Sequence, residues 1–144
     1  MKKLLILVTL IVAQTTFAQD IAIKKTIEDF FVAFHAKDTI GLKKTFSKEL
    51  VLQSIAEKKE GAIVSTESVS GFLKSIGSVP ANVKLEERLL SWKIEQDGSM
   101  AHVWTPYEFY IDGKLSHKGV NSFSLFKAAD GWKIIYCVDT RRLP

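Results

Sequence analysis

The stretch that most constrains this chain runs from Val83 to Arg141, where long apolar runs alternate with Asp97-Gly98, Asp112-Gly113 and Asp130-Gly131. Asp-Gly suits a two-residue hairpin loop because both central positions of a type I′ turn need φ > 0, which Gly adopts freely and Asp tolerates. Between the turns lie runs rich in Val, Ile, Phe, Tyr and Trp over 83–96, 99–111, 114–129 and 132–141. They predict an antiparallel meander of long strands. Runs of ten or more residues exceed the usual five or six, so the sheet must twist and bend.

Helical spacing dominates upstream. Asp20 is placed to cap a first helix reaching about Lys37, with Ile23, Ile27, Phe30, Phe31 and Phe34 on one apolar stripe. Asp38 caps a short second helix, Leu42 and Phe46 inward and Lys43 and Lys44 outward. Residues 50–55 read as a strand and 62–64 as a brief return strand. Ser65 or Thr66 then caps a third helix over 67–76, with Val69, Phe72, Leu73 and Ile76 as its apolar face. Gly77 is placed as its C′ residue, and Pro80 prevents continuation. Helices gathered before an antiparallel sheet predict an α+β fold. Three N-terminal helices would pack on a strongly bent sheet, a cone with an internal pocket.

Residues 1–18 read as a cleaved signal peptide: a Met1-Lys2-Lys3 basic start, an apolar core from Leu4 to Ala13, and Thr16-Phe17-Ala18 before Gln19. That core is too short for the roughly 20 residues of a membrane-spanning helix. No Cys follows it, which excludes the lipoprotein route. The expectation is an exported protein, periplasmic or extracellular, with no membrane attachment after cleavage and one domain over 19–144. Lys2 and Lys3 supply two of the four net positive charges of the 144-residue chain. The remaining basic doublets, Lys24-Lys25, Lys43-Lys44 and Lys58-Lys59, are mixed with acids rather than gathered in a stripe, which argues against nucleic-acid binding. Cys137 is the only cysteine. It reads as an inert thiol inside an apolar strand, so stability must come from the core.

No GxGxxG, GxxxxGK[ST], HExxH, CxxC or GxSxG motif occurs. Three scattered histidines and no acidic cluster predict no metal site, and no cofactor is expected. His117 lies just past the Asp112-Gly113 turn, near a strand end, where a cone's rim would be. Gly119, Asn121, Phe123 and Leu125 share its strand face. Ser116, its neighbour, should point to the opposite face and form no nucleophile–base pair with it. On the preceding strand, Val103, Thr105, Tyr107 and Phe109 alternate with Trp104, Glu108 and Tyr110. Pro106 suits an edge or a bulge and leaves open which set faces inward beyond it. Trp104 and Tyr107 could stack a flat ligand, and Glu108 could act as a base if it faced inward. Asp139 and Arg141 share a face with Cys137 and Ile135, as a salt bridge or an anchor for an anion. His35 is expected to meet the carbonyls ending the first helix, and His102 to be solvated.

The segments Phe34-His35-Ala36-Lys37-Asp38, Phe46-Ser47 and Asp130-Gly131-Trp132-Lys133-Ile134 resemble the nuclear transport factor 2-like superfamily, over essentially all of the mature chain. Within it, residues 103–110, His117 with 119–123, and Asp139-Thr140-Arg141-Arg142 are similar to an exported bacterial group labelled lumazine-binding. The resemblance implies an α+β cone with a pocket and a small-molecule ligand. Enzymes of the superfamily place Asp, His or Tyr groups inside the cone; ketosteroid isomerase, for instance, combines an Asp base with Tyr and protonated Asp donors. This chain shows no obvious acid pair among His117, Tyr107, Asn121 and Asp139. Both sheet faces carry large apolar groups, so the resemblance also implies a sheet-to-sheet homodimer.

Three functional readings follow. The first is an exported, non-catalytic binding domain for a small, partly aromatic molecule, held by Trp104, Tyr107, His117, Asn121, Phe123 and Arg141. The second is an isomerase, dehydratase or hydrolase with His117 or Asp139 as acid or base and Tyr107 as oxyanion donor; it requires those groups to converge. The third is an accessory module whose cone is filled by its own side chains.

Overall fold

The computed structural model describes residues 21–144, so the leader expected over 1–18 and the cap expected at Asp20 lie outside the described residues. Helix α1 covers residues 21–36. Its stripe is buried as the spacing predicts: Ile23 and Ile27 completely, Phe30, Phe31 and Phe34 nearly so. Each such side chain contributes about 1.5–3 kcal/mol of apolar transfer. Past α1, Lys37 adopts φ 58° and its Nζ donates to the carbonyls of Pro80 (2.7 Å) and Val83 (2.6 Å). Asp38 caps α2 (Thr39–Thr45) as predicted, Oδ1 accepting from the Ile40 and Gly41 N–H groups.

Strands β1 (Phe46–Ala56) and β2 (Ile63–Glu67) come next, then α3 (Val69–Gly77). The start of α3 departs from expectation. Ser65 and Thr66 pair with Ser54 and Gln53 of β1, and it is Ser68 whose Oγ accepts from the Gly71 N–H. Its end departs too. Gly77 is the last helical residue, and Ser78 stays right-handed while its Oγ donates to the Lys74 carbonyl. A hydroxyl thus does what a left-handed glycine was expected to do.

The remaining strands are β3 (Leu85–Leu89), β4 (Lys93–Asp97), β5 (Met100–Ile111), β6 (Lys114–Ala128) and β7 (Gly131–Arg141). They form one sheet in the order β2-β1-β7-β6-β5-β3, with β4 also on β5. All pairs are antiparallel except β1–β7. The fold is therefore the expected α+β arrangement of helices on a bent sheet.

The run 83–96, expected as one strand, is two. Leu89 pairs with Tyr107 and Lys93 with Trp104, so residues 90–92 face only Thr105 and Pro106. A strand residue's N–H and C=O point to the same side, and Pro106 has no N–H to offer. Its carbonyl still accepts from the Leu90 N–H at 2.8 Å, and the ladder breaks beside it. Pro106 thus sits in a central strand, its missing donor facing the break. The hairpin loops also differ from one another. Only Asp112-Gly113 has φ > 0 at both central residues. Between β4 and β5 the loop is Gly98-Ser99, and between β6 and β7 it is Ala129-Asp130, with Gly131 at positive φ just beyond.

Irregularities re-aim side chains. A register shift between Ser124 and Leu125 leaves Ile135 unpaired on β7. The inward set therefore changes from Trp132 and Ile134 to Cys137, Asp139 and Arg141. No such change occurs at Pro106: Val103, Thr105 and Tyr107 are all buried on one face. Against that face lie parallel rings of Phe30, Phe34 and Phe72, with Phe123 edge-on to Phe30.

At Gly119 the backbones of β6 and β7 approach closely. A Cβ there would sit 1.7 Å from the Thr140 carbonyl oxygen, a backbone atom that cannot step aside. Gly119→Ala should lower stability by at least the roughly 1–3 kcal/mol of ordinary overpacking, read as the midpoint of urea unfolding.

Candidate functional site

A cavity of about 590 Å³ opens between the helices and the sheet. Its apolar wall is Phe30, Phe31, Phe34, Phe72, Phe109 and Phe123. Ser65, Thr66, Glu67, Ser68 and Ser75, all on its lining, are exposed or partly so and place its mouth at β2 and α3. The opposite wall is polar, built from Ser54, Glu87, Tyr107, His117, Asn121, Asp139 and Arg141 on five strands.

Asp139 is the knot of that wall. Its Oδ1 accepts from Ser54 Oγ at 2.5 Å and from Arg141 Nη2 at 3.4 Å; its Oδ2 accepts from Arg141 Nε at 2.7 Å and Tyr107 OH at 2.9 Å. The same Tyr107 hydroxyl has the Thr140 carbonyl as a second acceptor at 3.0 Å. Burial and the charge of Asp139 push the Tyr107 hydroxyl's pKa far above its ordinary value. Tyr107 is thus a fixed donor, only 2% exposed, with its hydrogen committed inside the protein.

Glu87 was not singled out by the sequence, and it changes the site. Leu85, Glu87 and Leu89 share a strand face, and Leu85 is buried on it. Oε1 accepts from Asn121 Nδ2 at 2.6 Å, while Oε2 has no partner among the described residues. No fully buried side-chain oxygen lacks a partner there, so Oε2 retains access to the cavity. Burial first, then the charge of Asp139, push the Glu87 carboxyl up to about 7, against the opposing pull of Asn121 and Arg141. The expected lack of an acid pair is corrected: Glu87 and Asp139 line one cavity. The missed signal was parity, a glutamate in phase with a buried Leu85 and a partly buried Leu89 inside an otherwise charged run.

His117 lines the cavity as its position suggested, half-buried, its ring 5.0 Å from Phe109 and 5.8 Å from Tyr107. Burial, then Arg141, lower its pKa, so near neutral pH it is an uncharged imidazole. Ser116 does not point away from it. The register shift between Phe109 and Tyr110 makes Ser116 a bulge residue, and its Oγ lies 3.1 Å from His117 Nδ1. Ser116 is outside the cavity lining, so the contact orients the ring rather than arming a nucleophile.

Asn121, Phe123 and Arg141 also line the cavity, but Trp104 does not. It is 45% exposed on the outer sheet face, as Glu108 is turned outward to accept from Tyr110 OH at 2.7 Å. His35 does not cap its helix: its Nε2 accepts from the Glu87 N–H at 2.8 Å, and burial lowers its pKa. His102 is partly solvated as expected, its side chain 38% exposed, and lies 3.0 Å from Ser122 Oγ on the outer face. Cys137 lines the cavity as a thiol whose pKa burial raises well above its ordinary value. Among the described residues no helix is long and apolar enough to cross a membrane.

An α+β cone with a ligand-sized cavity is the class this geometry defines. More particularly, the chain has the NTF2-like fold. It superposes with a TM-score of 0.66 on an NTF2-like protein of unknown function from Shewanella baltica, 12% identical, covering 89% of this chain and 97% of that one. A protein from Novosphingobium aromaticivorans provisionally named an aromatic ring hydroxylase superposes at 0.70, with 16% identity and coverage of 89% and 92%. A provisionally named dehydratase of the NTF2-like family from Streptomyces avermitilis gives 0.63, 16% identity, and coverage of 85% and 95%. No family model and no curated relative matches the chain. At these identities the likeness is one of fold.

The raised carboxyl gives a stability prediction. Glu87 binds its proton more tightly folded than unfolded between its ordinary pKa of 4.5 and about 7, so its contribution is complete below that window and is lost as pH rises through it. Glu87→Gln keeps the shape and an oxygen for Asn121 but cannot ionise. Its melting temperature should exceed the parent's at about pH 8, with the gain vanishing near pH 4.

Proposed function

We propose that this chain is a non-catalytic small-molecule-binding domain acting outside the cytoplasm. The observation that carries this reading is the cavity itself, about 590 Å³ with an aromatic wall facing convergent polar groups. That volume falls in the range of small-molecule sites and leaves the filled-cone reading without support. The likeness of residues 103–110 and 119–123 to the exported group labelled lumazine-binding favours a pocket ligand as well.

Binding without chemistry is favoured because the expected catalytic set is spent on itself. Tyr107 donates to Asp139, and Asp139 is met by donors from Ser54, Tyr107 and Arg141. An oxyanion donor and a general base must both be free to meet substrate. A second reading rests on Glu87, whose open Oε2 and pKa of about 7 suit proton transfer. In that case a bound molecule would be converted rather than returned unchanged.

We also propose a homodimer through the outer sheet face. Met100, Trp104 and Phe126 are 60%, 45% and 38% exposed there, with Met100 and Phe126 cross-strand partners.

Protein purified gently from its own host should carry a small molecule in native mass spectrometry. Ser75→Trp, placed at an exposed position of the mouth, should remove that mass while leaving circular dichroism unchanged. A parent protein without ligand, and unresponsive to plugging the mouth, would defeat the reading. For the dimer, Trp104→Glu should halve the mass measured by light scattering; a parent that is already monomeric would defeat it.

A further inference from the structure

Resting on the binding reading, we infer that the cavity takes an organic cation: an amine-bearing molecule whose charged head meets Glu87 Oε2 and whose apolar body lies on the phenylalanine wall. The charges lining the cavity point one way. The Arg141 guanidinium is already engaged by Asp139, through Nε at 2.7 Å and Nη2 at 3.4 Å. An incoming anion could still reach the remaining N–H groups of that half-exposed guanidinium, but it would meet a charge already offset by Asp139 while facing Glu87. A cation meets the reverse: Asp139 has its partners, and Glu87 keeps one oxygen open to the cavity. A carboxylate oxygen left without a donor in an enclosed site costs free energy that an N–H from a ligand would recover.

The surroundings of Glu87 do not neutralise it. On α1, His35 accepts from the Glu87 N–H through Nε2, so that nitrogen carries no proton. From β5 comes Tyr107, committed to Asp139; from β6 come Asn121 and the uncharged imidazole of His117. On β7, Cys137 is held as a thiol, and Asp139 and Arg141 offset each other. At the mouth, Glu67 of β2 adds a further acid. Aromatic rings carry negative faces that attract cations, and six phenylalanines line this cavity. Aromatic wall and open carboxyl together suit an amine better than a neutral or acidic molecule of the same shape.

The test uses three probes with one ring system: 1-naphthylmethylamine, 1-naphthalenemethanol and 1-naphthoate, titrated calorimetrically into the full mature protein. The amine should bind about tenfold or more tighter than the alcohol at about pH 8, where Glu87 is ionised and the amine still protonated. Its advantage should shrink at about pH 5.5 and disappear in Glu87→Gln, whose own melting curve reports its folding. Binding should also release a proton near neutrality, seen as a heat that depends on the buffer. Equal binding of amine and alcohol, or an amine advantage that survives Glu87→Gln, would overturn the inference and leave the cavity reading standing. Tightest binding of the naphthoate would overturn it in favour of an anion held by Arg141. Failure of all three to bind would count against both readings.

Discussion

A buried carboxyl needs donors, and Asp139 draws them from two strands distant in sequence as well as from its own. Ser54 reaches it from β1, Tyr107 from β5 and Arg141 from its own β7. That demand fits the one parallel pairing of the sheet, where Ser54 stands beside Asp139. It also fits the approach of β6 to β7 at Gly119, which brings the Thr140 carbonyl to the Tyr107 hydroxyl. Removing one partner would leave a charge underserved in an enclosed place, which is costlier than the loss of an ordinary contact. The polar wall of the cavity is therefore part of the frame that closes the sheet.

Saturation at Asp139 determines what Glu87 is. Two carboxyls share the polar wall of the cavity, and only one set of strong donors is present there. Asp139 takes the guanidinium, the phenol and the Ser54 hydroxyl; Glu87 is left with one amide contact from Asn121. The consequence is a division of labour by environment, in which one acid is fixed and the other is pushed up to about 7. Asn121, the register partner of Asp139, joins the two groups through β6.

What the sequence made legible follows from periodicity. The α1 stripe, the Asp38 cap, the long strands from 99 onward and the inward face of β6 are local patterns, and local patterns survive folding. The breaks in pattern were not legible. Pro106 was visible, but its effect fell on the neighbouring strand, splitting 83–96 at residues with no break signal of their own. The bulges at Ser116 and Ile135 shift strand parity without any glycine or proline to announce them. Parity errors matter most at the site. They turned Ser116 toward His117, and they bring both Ile134 and Cys137 to the inner face. Glu87 was hidden for a related reason, since a glutamate flanked by Glu86 and Arg88 reads as solvent-facing until its strand neighbours are known.

The two walls of the cavity come from different layers, and this separates fold from specificity. Most of the phenylalanine wall belongs to α1 and α3, whose rings also hold the helices on the sheet. The ionisable groups belong to the sheet, on strands held by backbone pairing whatever side chain points inward. Changing Glu87 or His117 would alter the charge a ligand meets while leaving the ring packing intact; changing Phe30 would disturb both at once. A scaffold of this kind can present different polar walls behind one aromatic wall. That is consistent with the different names carried by proteins of the same shape at such low identity, and it places the chemistry of this chain in its own strand residues.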